Sequence, residues 1–259
     1  MSVGRTPRRD IRVGGIDLAG VPERATGVCC LRSDGFSETS VVREDAELLS
    51  WVRSARVRLV LVDAPLSLPR GRTTLDRPEP FHFRECDREL RKLGIPFFPI
   101  SLGPMRTLTR RGMHLAPAIQ GAGVTVAEGY PGGAQDLWEW PRKQAGLERL
   151  RRALRRTGCW GAVDRSGLSH DELDAVTLAL VARAHLRHRS IVLGDSDEGT
   201  MILPEPGTKP VPSLFAWTPR HRPRIRHREL PALPRDTECA NSRTKTSETS
   251  NAGKKRSQC

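Results

Sequence analysis

Apolar and polar positions alternate along the first quarter of the chain in a pattern that predicts strands followed by a helix. Three short runs, at about 11–18, 25–31 and 38–43, are separated by turn-forming segments and predict a three-stranded meander. Residues 44–55 place apolar side chains at helical spacing behind an acidic first turn, and residues 57–63 form a fourth apolar run. The predicted order of elements is therefore βββαβ.

The middle of the chain alternates between helical and extended patterns. The clearest helix begins at Ser169, because Ser169 and Glu172 have the spacing of a capping box and the following residues are mostly apolar. Together the elements predict an α/β domain over residues 11–206, with a sheet in βββαβαβα order flanked by helices. The further helices are predicted at 84–93, 105–120, 133–140 and 143–157, and the further strands at 123–128 and 200–203.

Basic residues are concentrated at the end of the chain. The formal net charge is +13, and residues 207–259 contribute +8 of it through twelve Lys or Arg against four Asp or Glu. This Pro-, Arg- and Ser-rich tail is predicted to be mostly disordered. A basic chain favours an anionic partner such as nucleic acid, DNA or RNA, and the tail could bind polyanions without specificity. It could equally be a solubilising extension.

The six cysteines have neither CxxC spacing nor the pattern of a zinc site or disulfide framework, so free thiols in a reducing cytosol are expected. No apolar segment has the length of a signal peptide or a membrane span. These features predict a soluble, cytoplasmic protein with no membrane partner.

Carboxylates end three of the predicted strands and recur on the clearest helix. Asp17, Asp63 and Glu128 each follow an apolar run, and Asp171 and Asp174 lie three residues apart on the helix. The carboxyl ends of parallel strands meet at one edge of a sheet, and Asp174 lies among apolar neighbours, where a lone carboxylate is costly. A divalent cation would offset the repulsion. An oxygen-only ligand set favours Mg²⁺ or Mn²⁺, which can promote phosphodiester cleavage.

The order of these elements resembles the RNase H-like superfamily. More closely, the segments GIDLAG, VDAPLSLP, CDRELRKLGIPFFP, EGYPGG and HDELDAVTLALVA resemble the family catalogued as domain of unknown function 429, whose members are regarded as predicted nucleases of RNase H-like fold. The resemblance extends over about residues 11–204. It implies three metal ligands, Asp17, Asp63 and Asp174, and two further catalytic candidates, Glu128 and Asp171.

Several of these acids also have a purely structural interpretation. Asp171 lies in the first helical turn and could complement the helix dipole, and Asp63 precedes Ala-Pro and could start a turn. The chain also departs from the family pattern: it has His170-Asp171 where two acids are common, and Gly132-Gly133 where a polar group is usual. His170 could assist proton transfer but is not among the predicted site residues.

Arginines near the predicted site could bind substrate. Arg84, Arg88 and Arg91 are spaced i, i+4 and i+7, which would give one basic helical stripe, and Lys143 could neutralise a phosphate. We take Arg84, Arg88 and Lys143 as substrate-binding candidates. The alternative is a solvated helix face held by pairs such as Asp87 with Arg91.

The leading functional hypothesis is a metal-dependent nuclease that hydrolyses phosphodiester bonds in nucleic acid. A sugar-kinase-like phosphotransferase is disfavoured, because Asp63 is followed by Ala-Pro-Leu and not by a glycine-rich phosphate loop. A non-catalytic binding module would explain the charge but not an aspartate in an apolar helix. A nuclease fold that has lost its activity stays open as an alternative.

Overall fold

The computed structural model describes residues 10–210 and 212–215, except for the side chains of Lys143 and Pro212. Eight strands lie in this part of the chain: β1 (Val13–Asp17), β2 (Thr26–Leu31), β3 (Phe36–Val42), β4 (Leu59–Val62), β5 (Thr125–Gly129), β6 (Trp160–Gly161), β7 (Ser190–Asp195) and β8 (Gly199–Pro204). Six α-helices accompany them: α1 (Asp45–Ala55), α2 (Glu85–Lys92), α3 (Gly103–Gly121), α4 (Pro131–Leu137), α5 (Leu147–Arg156) and α6 (His170–His185).

All eight strands form one mixed sheet in the order β6-β3-β2-β1-β4-β5-β8-β7. Strands β1, β2 and β3 are an antiparallel meander, and β4 pairs in parallel with β1. Strands β5 and β8 continue the parallel arrangement, while β7 returns antiparallel to β8. This topology confirms the mixed α/β sheet flanked by helices that the order of elements predicts.

The sequence pattern did not predict β6 or β7. Strand β6 is only two residues long and pairs with β3 at one edge of the sheet, so no periodicity could reveal it. Strand β7 is the other edge, with Val192 half exposed. Its apolar run is only three residues long, from Ile191 to Leu193, which is too short to distinguish a strand from a loop.

Helices cover both faces of the sheet, and each face has its own apolar core. On one face, α6 lies against β1 and β2, and its residues from Leu173 to Ala184 are all buried. Helices α2, α4 and α5 contribute to the same core, whereas α1 and α3 contribute to the core on the opposite face. Such complete burial explains why α6 carries almost no polar face.

Two glycines allow α6 to lie unusually close to the sheet. A Cβ atom at Gly15 would lie 2.0 Å from the backbone oxygen of Ala175, and one at Gly27 would lie 2.1 Å from that of Asp171. Any larger residue would push the helix away. Because Gly27 is paired with Asp17 in the sheet register, the close approach brings the first turn of α6 to the end of β1.

The predicted tail falls mostly outside the described residues. At its start, however, Leu214 and Phe215 are buried, and Phe215 packs into the core on the α6 face. The described part of the chain thus extends beyond the predicted boundary at residue 206. None of the described helices combines the length and the apolarity needed to cross a membrane.

Candidate metal centre

Three side chains meet where the end of β1 lies under the first turns of α6. Asp17, His170 and Asp174 each offer one ligand atom, and these three atoms lie within 4.8 Å of one another. Asp17 is the last residue of β1. His170 and Asp174 are one helical turn apart and therefore share a face of α6. We refer to these three residues as the metal cluster.

The start of α6 is fixed by a reciprocal capping box. The Ser169 hydroxyl accepts a hydrogen bond from the Glu172 N–H (3.2 Å), and the Glu172 carboxylate accepts one from the Ser169 N–H (3.0 Å). The same carboxylate accepts a hydrogen bond from the Thr39 hydroxyl on β3 (2.7 Å). These bonds hold the first helical turn, and hence His170, against the sheet.

The imidazole of His170 is oriented by its neighbour. Its Nδ1 lies 2.8 Å from Oδ1 of Asp171. A carboxylate oxygen accepts hydrogen bonds, so this contact favours the imidazole tautomer that carries its proton on Nδ1 and its lone pair on Nε2. A carboxylate behind the imidazole is the usual arrangement around histidines that bind metals. The structure thus places Asp171, a candidate ligand in the sequence, behind His170 and outside the metal cluster.

Asp174 is buried and hydrogen-bonded to an amide. The side chain of Gln135 donates through Nε2 to Oδ1 of Asp174 at 2.6 Å, and both residues are less than a tenth exposed. Gln135 lies on α4, at a position that the sequence analysis did not select. A polar residue among the small and apolar residues of α4 was the available signal. Its contact helps to fix the orientation of the Asp174 carboxylate.

Asp63 lies beside the metal cluster and is not one of its three members. It follows β4 directly, and its N–H donates to the backbone oxygen of Ile16 (2.8 Å), which places it next to the end of β1. Its half-buried side chain lines a cavity of about 290 Å³, together with Tyr130 and Glu128. Burial, reinforced by the charge of Asp63, raises the pKa of the Tyr130 hydroxyl.

Glu128, the third predicted strand-end acid, is buried in an ion pair. Its two carboxylate oxygens accept hydrogen bonds from the two terminal nitrogens of Arg84, at 2.5 and 2.7 Å, and Oε2 also accepts one from the Leu66 N–H at 3.2 Å. Burial raises the pKa of Glu128, and the Arg84 charge opposes that rise. The structure therefore gives Glu128 a cation from the protein itself and separates it from the metal cluster.

Arg84 is not part of an exposed basic stripe. Its side chain is 1% exposed and also pairs with Asp87 at 2.9 Å. The desolvation that would lower its pKa is outweighed by Glu128 and Asp87, which hold the pKa well above the usual value. The expected spacing fails because Arg84 is the extended N-cap of α2 and not a helical residue. The sequence analysis expected Arg84 to contact substrate phosphates, but its guanidinium group is buried and does not reach the surface.

The other two predicted substrate-binding residues are Arg88 and Lys143. Arg88 is about half exposed and forms an ion pair with Glu85 at 2.9 Å, so it lies on a solvated face of α2. Such a pair is compatible with the structural alternative and contributes little to stability. The side chain of Lys143 lies outside the described part of the structure.

The donor set of the metal cluster fits a divalent ion. Two carboxylates and an imidazole can neutralise and coordinate such an ion, and Asp174 is only 6% exposed. The expected oxygen-only set is corrected in one respect, since His170 adds a nitrogen donor. Nitrogen donors suit later transition metals better than Mg²⁺, and Mn²⁺ accepts both donor types.

The chain matches one protein family over most of its length. The family model described as "Protein of unknown function (DUF429)" matches residues 15–198, more than half of the chain. Among curated proteins, none matches. Among solved structures, the chain is similar to T. thermophilus RuvC in complex with Holliday junction substrate, with 17% identity and a TM-score of 0.39 over 69% of this chain and 96% of that chain. A likeness this weak carries no inference about activity.

Proposed function

The chain belongs to the DUF429 family, and from its metal cluster we propose that it is a divalent-metal-dependent nuclease that hydrolyses phosphodiester bonds in nucleic acid. The observation that supports this most is the convergence of Asp17, His170 and Asp174 at one end of an RNase H-like sheet. Buried or half-buried carboxylates this close together repel each other unless a cation lies between them. The basic character of the chain suits a polyanionic substrate.

Asp17, His170 and Asp174 would hold the ion, and the residues around them keep it in place. When bound, a divalent ion supplies Lewis-acid stabilisation of the charge that develops on the phosphodiester. Asp171 holds the His170 ring with its Nε2 lone pair available, and Gln135 holds one oxygen of Asp174. These contacts reduce the reorganisation that ion binding would otherwise require.

We propose that Asp63 orients the water molecule that attacks the phosphodiester. It lies at the end of the strand next to β1 and lines the adjoining cavity. Its carboxylate can accept a hydrogen bond from a water in that cavity and so orient the water towards a phosphate at the metal cluster. Glu128, already paired with Arg84, instead holds the loop after β4 through its bond to Leu66.

The test is cleavage of labelled single- and double-stranded DNA and RNA, an RNA–DNA hybrid and a branched junction, in Mg²⁺, Mn²⁺ or EDTA. We expect cutting that requires metal, is faster in Mn²⁺, and is lost in Asp17→Asn. The control is Glu38→Gln, which removes an exposed carboxylate that the sheet register places level with Gly14, towards the start of β1 and away from Asp17, and should cut normally.

Three outcomes would be informative against this proposal. Equal cutting by Asp17→Asn and wild type would identify a contaminating nuclease. No cutting of any substrate, together with Mn²⁺ binding measured by calorimetry, would mean that the cluster binds metal without this activity. No cutting and no metal binding, with salt-sensitive nucleic-acid binding retained, would favour the inactive binding module.

A further inference from the structure

A second polar cavity, of about 530 Å³, lies between the end of α4 and the outer face of α5. Its walls combine tryptophan rings with basic side chains. The lining includes Trp138, Trp140, Arg149, Arg152, Arg156 and Lys209. We refer to this cavity as the α5 groove. It shares no lining residue with the metal cluster or with the cavity beside Asp63.

The arginines of the α5 groove lie on one face of a single helix. Arg149, Arg152 and Arg156 are spaced i, i+3 and i+7. Within the described part of the chain, Arg149 and Arg156 form no ion pair, and Arg152 pairs with Glu148 at 3.0 Å. The groove therefore presents at least two guanidinium groups that no carboxylate of residues 10–210 or 213–215 neutralises.

The other arginines of α5 are neutralised locally. Arg151 shares Glu148 with Arg152, and Arg155 pairs with Asp164 at 2.9 Å. The one carboxylate in the groove lining, Glu139, pairs with Lys209 at 2.6 Å. The positive charge that is not paired is thus confined to the groove side of the helix.

The wall of the groove is built on the helix that supports the metal cluster. Helix α4 ends in a turn where Glu139 adopts a left-handed backbone conformation (φ 56°) and the Trp140 N–H donates to the backbone oxygen of Gln135 (2.8 Å). The side chain of Gln135 is the one bonded to Asp174. The groove residue Trp138 lies three positions after Gln135, a rise of about 4.5 Å along a helix.

We propose that the α5 groove binds the sugar–phosphate backbone of a single-stranded nucleic acid. Unpaired guanidinium groups on one face suit a row of phosphates, and the half-buried Trp140 ring, which packs on the buried Trp138, offers an apolar surface for a sugar or an unpaired base. Phosphate contacts and stacking on an aromatic ring are available to every nucleotide, so binding is expected to tolerate different sequences. The proposal rests on the proposed function in one respect: the strand held by the groove is the one cut at the metal cluster.

The test compares full-length wild type with Arg149→Gln/Arg156→Gln for binding of a fluorescent single strand in EDTA, from about 50 to about 200 mM salt. Losing two phosphate contacts should weaken binding about tenfold and lower the slope of log K against log salt by about 1.4. The matched control, Arg53→Gln/Arg58→Gln, removes two exposed arginines elsewhere and should leave the slope nearly unchanged. The basic tail is present in every protein compared.

A charge-retaining variant separates phosphate binding from fold effects. Arg149→Lys/Arg156→Lys should restore most of the salt slope, and all variants should melt like wild type because both arginines are exposed. Equal affinity and slope in wild type and the Gln variant would overturn the proposal, even if wild type cuts nucleic acid. A larger loss for duplex than for single strand would overturn its single-stranded part. Metal-dependent cutting is measured separately, so its absence contradicts the proposed function alone.

Discussion

Asp17 at the end of β1 and Glu128 near the end of β5 occupy related positions in one sheet, but their partners differ. Glu128 is buried against Arg84, which supplies the opposite charge from within the protein. Asp17 instead lies with Asp174 and His170. A histidine imidazole is cationic only when both of its ring nitrogens carry a proton. The comparison teaches that two acids at strand ends of one sheet can have different partners, and under the proposed function only the acid outside the Arg84 ion pair holds a metal ion.

The two groups should respond in opposite ways when a charge is removed. A buried ion pair that loses one partner leaves an uncompensated charge, which costs stability. A cluster of acids that loses one charge is relieved of repulsion, and loses instead its affinity for a cation. Function and stability can therefore be separated by mutating each group in turn.

The largest effect is expected for Asp174→Asn. The variant keeps an oxygen that can accept the Gln135 hydrogen bond but loses the charge that would hold an ion, so cleavage should fall at least about a thousandfold. The free energy of unfolding in EDTA should be unchanged or higher. Cleavage assays in Mn²⁺ and urea unfolding in EDTA measure the two quantities. A variant that unfolds easily would mean that Asp174 is structural, like Glu128.

The next largest effect is expected for Arg84→Met. It leaves Glu128 and Asp87 buried without their cation, and the free energy of unfolding should fall by about 3–5 kcal/mol. Arg84→Met/Glu128→Met should recover at least half of that loss, because apolar side chains replace the pair. The control Arg88→Met removes a solvated pair on the same helix and should cost about 1 kcal/mol or less.

Urea unfolding of all three variants is the measurement. If Arg84→Met were as stable as Arg88→Met, Arg84 would not be the countercharge that Glu128 needs when buried. The contrast between Glu128 and the metal cluster would then fail. If Arg84→Met kept its stability but lost cleavage, Arg84 would belong to the reaction, as first expected from the sequence.

A smaller effect is expected for Gly27→Ala, which tests how the sheet positions the metal cluster. The added methyl group would meet the backbone of Asp171, so α6 must shift, at a cost of about 3 kcal/mol. Mn²⁺ affinity should fall with it, since Asp174 moves relative to Asp17. The control Gly103→Ala has no atom within 4 Å of the new methyl group and should change neither quantity. Normal Mn²⁺ affinity in Gly27→Ala would separate the helix position from the site.

The sequence predicted the fold better than it predicted the partners of each acid. The strand-to-helix order, and the proximity of Asp17 to Asp174, follow from periodicity and from the family resemblance. The sequence did not predict that His170 joins the metal cluster or that Gln135 bonds to Asp174. These contacts depend on which side chains face each other across elements distant in sequence. Arg84 was misplaced because helical spacing was counted from a residue that caps the helix and does not lie in it.

The smallest effect is expected for Asp171→Asn, which probes the residue behind His170. The amide oxygen can still accept the Nδ1 hydrogen bond, but without a charge it makes the imidazole a weaker donor to metal, so Mn²⁺ affinity should fall about tenfold. Asp171→Ala removes the bond and should cost up to about a hundredfold. Calorimetric titration with Mn²⁺ measures both, and stability should stay close to wild type because Asp171 is partly exposed. Equal Mn²⁺ affinity in all three proteins would show that Asp171 serves the helix dipole alone, and that His170 needs no orientation to join the metal cluster.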